Sequence, residues 1–79
     1  MSKASHFCPP VSIIVPAHNE EFIIENTIRA MDKAAAYYGG DVHILIMNNN
    51  STDATEALAT DVLADCKAAT GRVLNVPRP

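Results

Sequence analysis

The 79-residue chain carries six Lys plus Arg against nine Asp plus Glu, a net charge of −3, and 48% hydrophobic residues. That length allows at most one small domain, which buries only roughly 60% of the surface its unfolded chain exposes. The basic residues are few and dispersed, which argues against a basic nucleic-acid-binding face or an anionic-membrane anchor; two distant cysteines and three scattered histidines make neither a disulfide framework nor a zinc site.

Residues 1–10 are polar and end in Pro9-Pro10, which reads as an irregular tail. No apolar stretch of signal-peptide length follows Lys3, so a cytoplasmic location is expected. The longest apolar runs, 11–15 and 43–47, fall far short of a membrane span. Cys8 and Cys66 read as small packing residues rather than reactive thiols.

Val11-Ser-Ile-Ile-Val15 is β-branched and nearly continuously apolar, the pattern of a strand buried on both faces and stopped by Pro16. Asn19 is a competent helix cap, with Glu20 and Glu21 placing negative charge at the positive helix end. A helix is expected from about Glu20 to Tyr38. Its apolar stripe is Ile24, Ile28, Met31, Ala35 and Tyr38, and Gly39-Gly40 closes it.

Val42 to Met47 is the second buried strand, followed by the polar triplet Asn48-Asn49-Asn50. Ser51, Thr52 and Asp53 can each cap the next helix, and Asp53 with Glu56 matches a capping box. That helix is expected over about Ala54 to Ala69, packing through Leu58, Val62 and Cys66 and ended by Gly71. Arg72 to Val76 is a short third strand before Pro77. Strands alternating with helices imply a parallel sheet with right-handed crossovers, one half of a doubly wound α/β fold.

In open α/β sheets ligands bind beyond the carboxyl ends of the strands. Here those ends carry Pro16-Ala17-His18-Asn19-Glu20 and Asn48-Asn49-Asn50-Ser51, each leading into a helix N-terminus that favours an anion. Two readings stand: a nucleotide site straddling both loops, or ordinary turns built from turn-forming and capping residues. The three glycines cannot form a Gly-x-Gly-x-x-Gly fingerprint, and no Gly-Lys-Ser/Thr phosphate loop is present.

The run from Val11 to Glu20, Val-Ser-Ile-Ile-Val-Pro-Ala-His-Asn-Glu, resembles the opening of family 2 glycosyltransferases, an apolar strand followed by Pro-Ala-Tyr-Asn-Glu. The run from Ile44 to Thr55, Ile-Leu-Ile-Met-Asn-Asn-Asn-Ser-Thr-Asp-Ala-Thr, is similar to that family's second strand and its Asp-Asp-Gly/Asn-Ser-Thr-Asp loop. The resemblance covers residues 11–77. It implies an α/β fold with a three-layer Rossmann-like parallel sheet, of which 11–79 would be the incomplete β-α-β-α-β half of a GT-A domain. It implies binding of a nucleotide-sugar, usually a UDP-sugar. Pro16, Ala17 and His18 would line the base, Glu20 would face the ribose, and Asn49 would replace an aspartate that accepts a hydrogen bond from the base.

Several features depart from the family pattern. His18 stands where tyrosine is common, and an imidazole can also stack on a base; it can equally be a solvent-facing loop residue. Glu20 can equally be a first-turn helix charge. Asn49 offers a carbonyl acceptor but also an amide donor and no charge, which leaves the base open; the triplet can also be a turn that has lost its ligand. No two aspartates are separated by one residue, so the family's Asp-x-Asp metal motif is absent. The expectation is that this chain holds no cofactor of its own. The divalent Mg or Mn ion, the general base and the acceptor region would belong to the complete family domain. Transfer activity is not expected from this chain alone. The competing expectation is a non-catalytic interaction module or a truncated gene product. In the family the first strand has further partners, so its open edge would pair with a second copy or a completing chain.

Overall fold

The structure, a computed structural model, describes residues 8–77. The expected tail falls mostly on residues 1–7, outside the described residues; Cys8 to Pro10 have no regular structure. The elements follow the order β1 (Val11–Ala17), α1 (Ile24–Tyr38), β2 (Val42–Asn49), α2 (Thr55–Asp65) and β3 (Thr70–Val76). The three strands form one parallel sheet in the order β1-β2-β3. This is the β-α-β-α-β α/β unit expected, and the described residues contain the sheet and one helical layer.

Burial alternates along the central strand. Val42, Ile44, Ile46 and Asn48 face the helices and are buried, while His43, Leu45, Met47 and Asn49 on the other face are half-buried. On β1 the face opposite the helices is open, and Ile14 is 64% exposed. The expectation that β1 is buried on both faces is therefore corrected: its apolar run is covered on one face only. The core lies between sheet and helices, where Ile28 of α1, Ile44 and Ile46 of β2, and Ala59, Val62 and Leu63 of α2 belong to one buried cluster.

The expected boundaries shift for physical reasons. β1 continues through Pro16 to Ala17, in register Pro16↔Met47 and Ala17↔Asn48. Among the described residues β1 is an edge strand, and a sheet edge tolerates a residue with no N–H to give. α1 begins at Ile24 rather than Glu20, because residues 20–23 form a turn in which the N–H groups of Ile23 and Ile24 both bond Glu20 O (3.0 and 2.9 Å). Gly39 closes α1 as expected, with φ of 80° and its N–H on Ala35 O.

α2 stops at Asp65, short of the expected Ala69. The chain beyond it is captured by Asp32 of α1. The Asp32 carboxylate accepts the N–H groups of Lys67 (3.0 Å), Ala68 (2.8 Å) and Ala69 (2.8 Å), an alternative to continuing the helix. Gly71 is then not a helix terminator but a residue of β3. A Cβ there would lie 2.5 Å from Ile44 O and 2.6 Å from Leu63 Cδ2, so only glycine lets β3 sit this close to β2 and α2.

Two outcomes test this packing. Gly71→Ala loses about 1–3 kcal/mol of unfolding free energy by urea titration, as overpacked cores do. Asp32 gives a pH signature. The Lys67 N–H above all, then those of Ala68 and Ala69, hold its carboxyl below the ordinary 3.8 against the opposing effect of burial. Its pKa is lower folded than unfolded, so its contribution is complete above the unfolded value and is lost as pH falls through the folded one. Asp32→Asn lowers the urea midpoint at neutral pH and flattens the loss of stability below about pH 4.

Candidate functional site

The loops after β1 and β2 meet beyond the carboxyl ends of the strands and are locked by hydrogen bonds running in both directions. The Asn19 N–H donates to Ser51 Oγ (2.9 Å), and Asn19 Oδ1 accepts the Thr52 N–H (2.8 Å). The Glu20 N–H donates to Thr55 Oγ1 (2.7 Å), and the Glu21 N–H donates to Asp53 Oδ2 (3.3 Å). The Glu21 carboxylate returns the contact by accepting the Ala54 N–H (3.0 Å). The backbone enables this: Asn19 and Asn50 have φ of 51° and 55°, a left-handed conformation that asparagine adopts more readily than most side chains.

These bonds reassign the expected caps. Asn19 does not cap α1; the residue at that position is Ile23, which gives no side-chain bond, and Asn19 is spent across the loops. Asp53 does accept the Thr55 N–H (2.9 Å) and hydroxyl at the start of α2. Glu56 does not complete a capping box, because its carboxylate accepts Asn75 Nδ2 (2.9 Å) instead. Thr55 is wholly buried and satisfied, taking the Glu20 N–H and giving its hydroxyl to Asp53. Desolvation pushes the Asp53 carboxyl up, but the Thr55 hydroxyl and the N–H groups of Thr55 and Glu21 outweigh it and hold the group below its ordinary value.

The sequence-derived site residues divide by placement. Pro16 and His18 are exposed, Glu20 and Asn49 are half-buried, and the Ala17 side chain is buried in the core at 3% exposure. His18 and Asn49 are brought together: His18 Nδ1 lies 2.6 Å from Asn49 O. Glu20 engages the opposite loop through its backbone N–H.

Three further polar residues, Asn48, Asn75 and Glu56, escaped the sequence reading as a group. Asn48 is 96% removed from solvent, its Nδ2 donates to Asn75 Oδ1 (2.8 Å), and Asn75 Nδ2 donates to Glu56. A carboxylate only accepts, so Glu56 fixes the orientation of both amides. That leaves Asn48 Oδ1 without a hydrogen-bond partner among the described residues. The three line an open cleft of about 330 Å³ with Asn50, Ser51 and Pro77. The available signal was Asn75, a lone amide in an otherwise apolar strand end.

Among the described residues no group of three His, Cys, Asp or Glu could hold a metal ion. No helix among them is long and apolar enough to cross a membrane.

A parallel β-α-β-α-β unit with paired polar loops over its strand ends defines the class as Rossmann-like α/β. The model of glycosyl transferase family 2 matches residues 12–76, and the chain belongs to that family. It is similar to "Probable glycosyltransferase YdaM" of Bacillus subtilis (strain 168), with 46% identity over 48 residues, 60% of this chain and 11% of that protein. The chain thus matches about a tenth of the relative's length. No solved structure gives a significant match.

The loop lock makes a measurable demand on Asn19. Asn19→Ala removes the Thr52 acceptor and places a β-carbon residue at positive φ, and lowers stability by about 1–2 kcal/mol. Asn19→Gly relieves the backbone strain and loses less, which urea titration of the two variants resolves.

Proposed function

We propose that this chain forms the base- and ribose-binding wall of the nucleotide-sugar donor site of a family 2 glycosyltransferase. The observation that carries this reading is the junction of the two loops, His18 against the Asn49 carbonyl at 2.6 Å, over the strand ends where α/β sheets take ligands. Family membership makes a nucleotide-sugar the general donor. A UDP-sugar is the expected one, with GDP- and CDP-sugars as the alternatives that uncharged Asn49 allows.

In this reading Pro16 and His18 line the base from the first loop. Ala17, its side chain buried, faces the ligand through its backbone. The Asn49 amide oxygen accepts from the base, and the Glu20 carboxylate takes a ribose hydroxyl. In the family reaction the anomeric carbon passes from the nucleotide diphosphate to an acceptor hydroxyl, and the diphosphate charge must be neutralised as it leaves. The residues here bind and orient the donor's nucleoside end. We assign them neither the general base nor the metal site.

A second reading has its own observation. β1 has an open edge among the described residues, flanked by exposed Val11 and Ile14, the kind of strand that pairs with another chain. Here the chain is an interaction module, completed by a second copy or a partner strand. Concentration-dependent sedimentation tests it: association at micromolar concentration supports edge pairing, and a monomer at every concentration removes it.

The donor-site reading is tested by amide NMR of the 79-residue chain titrated with UDP, GDP and CDP. It requires saturable shifts at His18, Glu20 and Asn49 together. A dispersed spectrum indifferent to all three nucleotides sinks it.

A further inference from the structure

The His18 ring has an orientation and a protonation pattern that its neighbours dictate. Its Nδ1 lies 2.6 Å from the Asn49 carbonyl oxygen, which can only accept. The ring proton of neutral His18 therefore sits on Nδ1, and Nε2 carries the lone pair. The remaining contact of Nε2 is with Asn19 Nδ2 at 3.4 Å, too long to be a strong hydrogen bond. His18 is exposed, so that lone pair is reachable. The Asn19 side chain is meanwhile held by its Oδ1 on the Thr52 N–H, so it cannot move in to improve the contact without breaking the loop lock.

We infer that His18 is a specificity-determining residue that reads a hydrogen-bond donor on the nucleoside through Nε2, by its edge rather than by stacking its face. The inference rests on the donor-site reading and deepens it. The ligand chemistry is an N–H or O–H pointed at an uncharged nitrogen acceptor. Three groups of a nucleotide offer it: the base ring N–H of uracil or guanine, for which His18 competes with the Asn49 amide oxygen on uracil's single N–H, the exocyclic amine of guanine or cytosine, and a ribose hydroxyl. Cytosine has no ring N–H, so CDP can satisfy His18 only through its ribose or exocyclic amine. Asn49 is essential through its backbone carbonyl, which sets the tautomer. A substitution of its side chain leaves the His18 proton where it is.

Two measurements on the 79-residue chain test this. The first is a long-range nitrogen–proton NMR correlation of the histidine rings, in buffer alkaline enough to keep them neutral. Free imidazole in histidine favours the proton on Nε2, so a dominant Nδ1–H form at His18 is the expected and distinctive result. An Nε2–H form overturns the inference whatever binds. The second compares UDP and GDP with their ring-N-methyl analogues and their 2′-deoxy and 3′-deoxy forms, by amide shift titration. Roughly three- to tenfold weaker binding of the N-methyl analogue assigns the base N–H, and the same loss for a deoxy form assigns the ribose. His18→Phe keeps an aromatic ring and abolishes the discrimination. Equal binding of parent and all analogues to the unsubstituted chain overturns the His18 inference and leaves the donor-site reading standing. No binding of any parent nucleotide removes the donor-site reading and this inference with it, while the tautomer spectrum still reports the state of the ring.

Discussion

The lock between the loops after β1 and β2 decides where the local elements begin. Parallel pairing brings Ala17 beside Asn48, and from there both chains must turn into helices. Each turn leaves backbone N–H groups without helical partners, and a buried or half-buried N–H is costly unless satisfied. Here each loop satisfies the other. Ser51, Asp53 and Thr55 take the N–H groups of Asn19, Glu21 and Glu20, while Asn19 and Glu21 take those of Thr52 and Ala54. Glu20 and Glu21 give their N–H groups across the gap, and the turn over 20–23 delays the start of α1 to Ile24.

A second device of the same kind sits at the other end of the helices. Asp32 gathers three consecutive N–H groups after α2 and so turns the chain into β3. Gly71 then admits β3 against β2 and Leu63. An exposed pair of contacts from Arg29 to Glu25 (2.8 Å) and Asp65 (3.2 Å) adds a further link between the helices, of the type that contributes little in water.

Local pattern made much of this legible. The three strands, the stripe Ile24, Ile28 and Ala35 on α1, and the closing Gly39 are all short-range features, and the structure has them. What local pattern misplaced involves partners far away in the chain. Asn19 looks like a cap because nothing nearby competes for its amide; its actual partner is 33 residues on. Gly71 looks like a helix end because its crowding by Ile44 and Leu63 is tertiary. β1 reads as doubly buried because periodicity registers an apolar run and not which face is covered. At the candidate site the motifs marked both loops. They could not show that the Asn49 backbone would hold the His18 ring, or that Glu56 would orient Asn75 and Asn48. Family membership fits the same geography, since the matched region ends with the last strand.

The two loops behave as one unit. Residue-resolved amide hydrogen exchange of the unmodified chain tests it most directly. The N–H groups of Asn19, Glu20, Thr52 and Ala54 should be protected together, with one common opening free energy comparable to that of neighbouring strand amides. Exchange of these amides at unprotected rates, while β1 and β2 stay protected, would contradict it: the loops would then be independent turns with no shared site between them.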